Sequence, residues 1–258
     1  MILLAVALTA IPEEVTAAVE ATRSAPLAER IDRISASLLG RDYALDPAGE
    51  GEGPDGDPVA RYDVFDCVTF VEEVLALALG GLTGADAVRR DLRYGPGTPP
   101  TYANRNHLME LQWLPDAVST GRLVDVTARI GPTKTIVHPV DVNTWNSWPA
   151  RSGFGLTDAQ LPVGTSRVAV VDLSTALANI DKFPVGALVL PVRAPREHRP
   201  VLTFHVGFVV PGPSGPLIRH ATKLGDGRVR SDSLAWYLNN AKTYPWPVEG
   251  VAVFLPTP

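Results

Sequence analysis

Among 258 residues there is one cysteine, Cys67. It lies in the first turn of the clearest helical segment of the chain, DCVTFVEEVLALALGG, residues 66–81, which opens on Asp66 as N-cap and closes on paired glycines. A thiol at a helix start faces unpaired backbone N–H groups and the positive end of the macrodipole, and both favour a nucleophilic thiolate. The competing role for a lone cysteine is that of a small buried hydrophobe. Two histidines supply what a nucleophile needs. In TFHVGFVV, strand alternation puts His205, Gly207 and Val209 on one face. Symmetric pairing about the following turn, PGPSGP, sets Val210 opposite Gly215, Val209 opposite Pro216 and His205 opposite His220. Gly207 leaves that face open to a closely approaching element, and the Cys67 helix is the natural one. Thiol, base and orienting group are the parts of a cysteine hydrolase in which His205 takes the thiol proton and His220 fixes the imidazole.

The elements that must position these groups follow from periodicity. Leu27, Ile31, Ile34 and Leu38 recur at helical spacing and stop at Gly40, the pattern of a packing helix. Apolar positions cover most of the circumference of the Cys67 helix, which predicts burial on several sides. Between the two, DPAGEGEGPDGDP, residues 46–58, reads as a solvated acidic loop. Residues 94–165 read as a loop-rich insertion with one helical piece around His107 to Val118, and His138 and His198, each near a proline, as surface residues. Strand-like runs follow at Val168 to Leu173, Ala187 to Val192, Thr203 to Val210, Leu217 to Ala221 and Val251 to Leu255. Helices first and strands after predict an α+β class with an antiparallel sheet: a single domain over residues 26–258, preceded by an N-terminal segment, 1–25.

Composition narrows the function. With 23 Lys and Arg against 28 Asp and Glu, net charge −5 and no basic run, the attraction that drives nucleic-acid binding is missing. One cysteine excludes an internal disulfide and a Cys-rich zinc site. The apolar run MILLAVALTAI at residues 1–11 is too short to span a bilayer; it has the length of an export-signal core but no preceding Lys or Arg, so it reads equally as a clipped signal or an apolar segment. No membrane span is expected. HExxH is absent, so a zinc amidase using His205, His220 and Cys67 or His107 is a weaker alternative.

LLGRDY at 38–43, DCVTFVE at 66–72, RNH at 105–107, DVTARIG at 125–131, HVGFV at 205–209 and RHAT at 219–222 occur in one order across nearly the whole chain. In these motifs the chain resembles the N-acetylmuramoyl-L-alanine amidase-like family of the NlpC-like, papain-fold cell-wall cysteine hydrolases. The resemblance implies a papain-like fold with the Cys67 helix packed on the sheet. It implies a nucleophile at Cys67, a general base at His205 and a third polar member at His220. It further implies substrate-binding roles for Arg105 and His107, with Tyr43 near an oxyanion hole although Asp42 replaces the usual proline. Gly186-Ala187 stands where Gly-Asp is usual, which removes a carboxylate. The implied activity is cleavage of the muramoyl–L-alanine amide in peptidoglycan fragments, without metal or organic cofactor, in the periplasm or cell envelope. A stem-peptide endopeptidase cutting between D-glutamate and the diamino acid is the alternative, with a silent cell-wall-binding module behind it.

Overall fold

The computed structural model describes residues 10–258, so the apolar run lies outside the described residues up to position 9. The helices are α1 (Glu13–Ala21), α2 (Leu27–Ser37), α3 (Cys67–Tyr94), α4 (Leu114–Ser119), α5 (Thr127–Ile130), α6 (Val142–Asn146), α7 (Leu173–Ala178) and α8 (Leu234–Ala241). The strands are β1 (Asp42–Tyr43), β2 (Val64–Phe65), β3 (Leu123–Asp125), β4 (Thr133–Val140), β5 (Gly164–Val171), β6 (Leu188–Arg193), β7 (Gly207–Val210), β8 (Leu217–Thr222), β9 (Arg228–Ser233) and β10 (Val248–Pro256). All ten strands join one sheet in the order β2-β1-β9-β8-β7-β6-β10-β5-β4, with β3 alongside β10. Every pairing is antiparallel except β1 with β2.

Helices cover both faces, so the class is mixed α/β in three layers. Phe208 and Val210 of β7 pack with Phe70 and Val74 of α3 and Ile31 of α2 in one core. Val209 and Ile218 turn the other way, into a second core with Leu173 of α7 and Tyr237 and Leu238 of α8. The period-2 alternation of β7 thus feeds two cores at once.

The glycines at 80–81 do end the first helical run. Gly81 has φ 62° and breaks α3, so that residues beyond it fold back. A Cβ on Gly80 would lie 2.6 Å from the Ala85 backbone, a separation only glycine tolerates. The return brings Arg93 to Glu72 (2.9 Å) and Arg89 to Glu73 (2.8 Å), pairs buried along the helical hairpin. By length and hydropathy α3 is apolar enough to cross a membrane, but here it lies inside the protein.

Two stretches read as irregular prove to be structured. The insertion contributes β4, which pairs along its whole length with β5, and β3, which pairs with β10. His138 is accordingly buried on β4, its Nε2 2.8 Å from the Arg199 carbonyl, and is not a surface residue. The acidic loop is also not fully solvated: Ala48 and Glu50 are buried.

Candidate active site

Asp66 caps α3 by accepting from the N–H groups of Val68 (3.0 Å) and Thr69 (2.7 Å), while the Thr69 hydroxyl accepts from the Asp66 N–H (3.0 Å). Among the described residues this leaves the N–H of Cys67 itself without a capping side chain. The thiol faces the N–H groups of Cys67, Val68 and Val206, each of which favours the thiolate. Burial and the Asp66 charge oppose them and prevail, pushing the thiol up to about 12. The expectation that the helix start ionises Cys67 is therefore corrected: the dipole acts, but desolvation is larger, and the resting sulfur carries its proton.

Val206 follows His205, so its contact with the sulfur brings the base segment to the Cys67 end of α3. The strand assigned to this segment starts later than its sequence indicates: β7 begins at Gly207, leaving His205 in the chain just before it. The hairpin register also differs by two residues. Phe208 pairs with Arg219, Val209 with Ile218 and Val210 with Leu217, and continuing that ladder puts Gly207 opposite His220. A shift of two preserves the face. The imidazoles therefore still meet, diagonally, with His205 Nε2 2.6 Å from His220 Nδ1. The space at Gly207 serves this cross-strand neighbour and not the Cys67 helix, since a Cβ there would lie 2.8 Å from His220 Cβ.

The chain of polar groups extends further than the sequence indicated. His220 Nε2 lies 3.0 Å from Asp232 Oδ2 on β9, and Asp232 Oδ1 accepts from Arg230 Nε (3.0 Å) and Nη2 (2.6 Å). Burial pushes the Asp232 carboxyl up, but the bonds from His220 and Arg230 outweigh it and hold it below the usual range. An ionised carboxylate only accepts, so His220 Nε2 carries the proton and, in neutral His220, Nδ1 is an acceptor. His205 must then donate from Nε2, which leaves its Nδ1 as the free basic nitrogen. Burial, reinforced by His220, holds His205 well below the ordinary histidine value, so it is neutral near pH 7.

Two tyrosines flank the thiol. Tyr43 of β1 packs near Cys67, and burial and the charges of Cys67 and Asp66 raise it to about 12. Tyr237 of α8 lies against both imidazoles, with ring centroids 5.9 Å from His205 and 5.6 Å from His220, and escaped the sequence reading, as did Asp232.

Arg105 and His107 are committed to other partners, although Asp46, which Arg105 bonds, donates its N–H to Asp66 Oδ2 (3.2 Å) at the start of the Cys67 helix. The Arg105 guanidinium bonds both oxygens of Glu50 (2.9 Å each), Asp46 (3.1 Å) and Asp55 (2.7 Å), pinning the acidic loop. His107 lies edge-on to Tyr102 and Phe154, its Nε2 2.7 Å from the Tyr102 carbonyl, and burial lowers it to about 4. Neither contacts Cys67, His205 or His220. Ala187, at the position of the missing carboxylate, is buried in the second core. Among the described residues no three His, Cys, Asp or Glu side chains converge as a metal-ligand set.

The fold belongs to a class already seen in solved structures. A protein of Legionella pneumophila from the DUF1460 family superposes with TM-score 0.82 at 24% identity, covering 95% of this chain and 93% of that one. An N-acetylmuramoyl-L-alanine amidase from Bacteroides uniformis gives 0.72 at 18% identity over 90% and 99%. A putative xylanase from Bacteroides fragilis gives 0.67 at 19% over 86% and 98%. No curated protein matches. Over residues 33–244 the sequence matches the AmiA-like, N-acetylmuramoyl-L-alanine amidase-like family, and the chain belongs to that family of amidase-like peptidoglycan hydrolases.

Proposed function

We propose that this protein is a cysteine-dependent N-acetylmuramoyl-L-alanine amidase of the NlpC-like, papain-fold type, acting on muropeptides in the periplasm or cell envelope. The observation that supports it best is the linked series His205–His220–Asp232 beside a thiol ringed by backbone N–H groups. In the proposed reaction the Cys67 sulfur bonds to the lactyl carbonyl carbon as its proton passes to His205 Nδ1. The carbonyl π pair moves to oxygen, facing the Cys67 N–H and the Tyr43 hydroxyl. Collapse breaks the C–N bond, and the alanine nitrogen takes the proton from His205. A water then gives a proton to the same nitrogen and attacks the thioester, releasing the lactyl carboxylate and restoring the thiol. No step calls for a metal or organic cofactor. Arg105, saturated by its own carboxylates, is assigned to holding the acidic loop, and His107 to an aromatic cluster, in place of the substrate contacts that resemblance implied.

The test is a digest of defined muropeptides followed by mass analysis, with Cys67→Ala and Cys67→Ser compared at matched circular dichroism. Release of an intact stem with a free L-alanine amine, abolished by both substitutions and indifferent to EDTA, is the expected result. Release of a dipeptide-bearing sugar makes the enzyme a stem-peptide endopeptidase, and activity surviving both substitutions removes the thiol mechanism.

A further inference from the structure

Two sets of arginines differ in what balances them. Arg105 is enclosed by three carboxylates. Arg193, at the end of β6, has no ion-pair partner among the described residues, nor have Arg196 and Arg199 in the hairpin that follows. The Arg193 guanidinium sits against the corner of two aromatic rings that meet edge to face, its Cζ 5.0 Å from the Phe204 centroid and 5.1 Å from that of Trp246, with the two centroids 5.9 Å apart at 81°. Trp246 stacks on Tyr244 at 5.0 Å with an interplanar angle of 18°, and Tyr244 also meets Phe204 edge-on. Cation–π contact with this corner holds the guanidinium on one side and leaves its other side for a ligand.

Donors on these residues and on Arg199 are unmet. Arg193 Nε, Arg199 Nη1 and Trp246 Nε1 are buried without a hydrogen-bond partner. All three are obligate donors, an arrangement that suits an acceptor-rich anion. The carboxylate that acts on Arg193 is Glu110. One of its oxygens accepts from the Thr203 N–H, and burial, opposed by the bonds from Thr203, raises its pKa. The remaining influences on the Arg193 charge are Arg196 and Arg199, which repel it, and Tyr244. Burial and this crowding lower the Arg193 value to about 10, so the guanidinium is charged at neutral pH and poorly compensated.

The place is adjacent to the reaction centre. The Arg193 N–H bonds the Leu202 carbonyl (3.1 Å), and Phe204 immediately precedes His205. Three extended residues from Leu202 to His205 correspond to about 10 Å, and an arginine side chain can shorten that separation. In a muropeptide, the carboxylate of the second stem residue lies about two residues, or roughly 7 Å, from the lactyl amide.

We infer that Arg193, framed by Phe204 and Trp246 and assisted by Arg199, is the subsite for a stem-peptide carboxylate of the substrate. This rests on the muropeptide reading above. A bidentate, charge-assisted contact there fixes the peptide relative to His205.

The experiment uses the full chain carrying Cys67→Ala, so that binding is read without turnover. Calorimetry compares a muramoyl-dipeptide with a free second-residue carboxylate against the same compound amidated at that position. The acid is expected to bind about 10- to 100-fold more tightly, and Arg193→Met to abolish that preference, with the loss falling mainly on the acid. Arg193→Lys retains charge but not the fork and is expected to keep only part of the preference. Arg193→Met should melt at or above the parent temperature, because it removes a half-buried cation without an ion-pair partner and preserves the packing against the rings. A preference that survives Arg193→Met, or equal binding of acid and amide with Arg193 present, overturns the subsite even if wild-type enzyme cleaves muropeptides. An acetylated dipeptide with a free terminal carboxylate separates the two claims. If wild-type enzyme cleaves no muropeptide but this peptide binds in an Arg193-dependent manner, the amidase reading fails and the anion site stands.

Discussion

Asp232→Asn tests the proton arrangement of the site with a change of one atom. Asp232 receives two bonds from Arg230 on one oxygen and one from His220 Nε2 on the other. An asparagine must present its carbonyl oxygen to Arg230, because a guanidinium cannot accept, and so turns its NH2 toward His220. His220 Nε2 then becomes the acceptor, Nδ1 acquires the proton, and His205 must accept at Nε2 and carry hydrogen on Nδ1. The nitrogen proposed to receive the thiol proton is thereby blocked. Restoring the productive tautomer requires the amide to flip and forfeits two charged hydrogen bonds, at about 1.5–3 kcal/mol each, or roughly 3–6 kcal/mol together. The expected fall in kcat/KM is therefore about 10²- to 10⁴-fold, with the melting temperature little changed. Asp232→Ala imposes no wrong tautomer and should lose less activity than Asp232→Asn despite being the larger truncation. Adding Arg230→Met to Asp232→Asn frees the amide to flip and should recover activity. Muropeptide hydrolysis followed by mass analysis reads all four proteins. Asp232→Asn within threefold of wild type, or no recovery in the double variant, would refute the tautomer argument.

Three further outcomes follow from the same geometry. With the thiol pushed up to about 12, about one sulfur in 10⁴ is ionised at pH 8. Iodoacetamide alkylation of Cys67 should therefore rise close to tenfold per pH unit from 7 to 10, and a plateau with a midpoint below 7 would show a resting thiolate instead. Arg105→Ala leaves buried Glu50 without its cationic partner and should destabilise by about 3–5 kcal/mol in urea titrations, while preference between acid and amidated stems is retained; a change in that preference at unaltered stability would restore Arg105 to substrate reading. His107 is lowered to about 4, so between that value and 6.5 the unfolded chain binds a proton that the folded protein refuses. Stability should fall by about 2–3 kcal/mol from pH 7 to 4.5, and His107→Phe should remove that part of the loss in chemical unfolding; an unchanged pH slope contradicts the assignment.

What the sequence alone determined is local or periodic. Asp66 and Gly80-Gly81 set the start and end of the helical run bearing Cys67, because capping and a positive φ are satisfied within a few residues. Alternation placed His205 and His220 on one face even though the strand began late and the register slipped by two, since an even shift leaves side-chain facing unchanged. Tertiary structure alone decided the rest. Asp232 sits on a polar strand, RVRSDS, whose composition gives no apolar alternation, and only its pairing with β8 makes it the partner of His220. The stretch TKTIVHPV carries Pro139, which weakens its strand signal, yet β5 supplies a full-length partner. Arg105 looked available for a ligand until the acidic loop closed over it, whereas Arg193 was one arginine among many until it packed against Phe204 and Trp246. The thiol shows the division most directly: the helix dipole can be read from a few neighbouring residues, but the burial that outweighs it, and the Val206 N–H that adds to the dipole, come only with the folded chain. Burial is a property of contacts between segments far apart in the chain, and no local pattern encodes its magnitude.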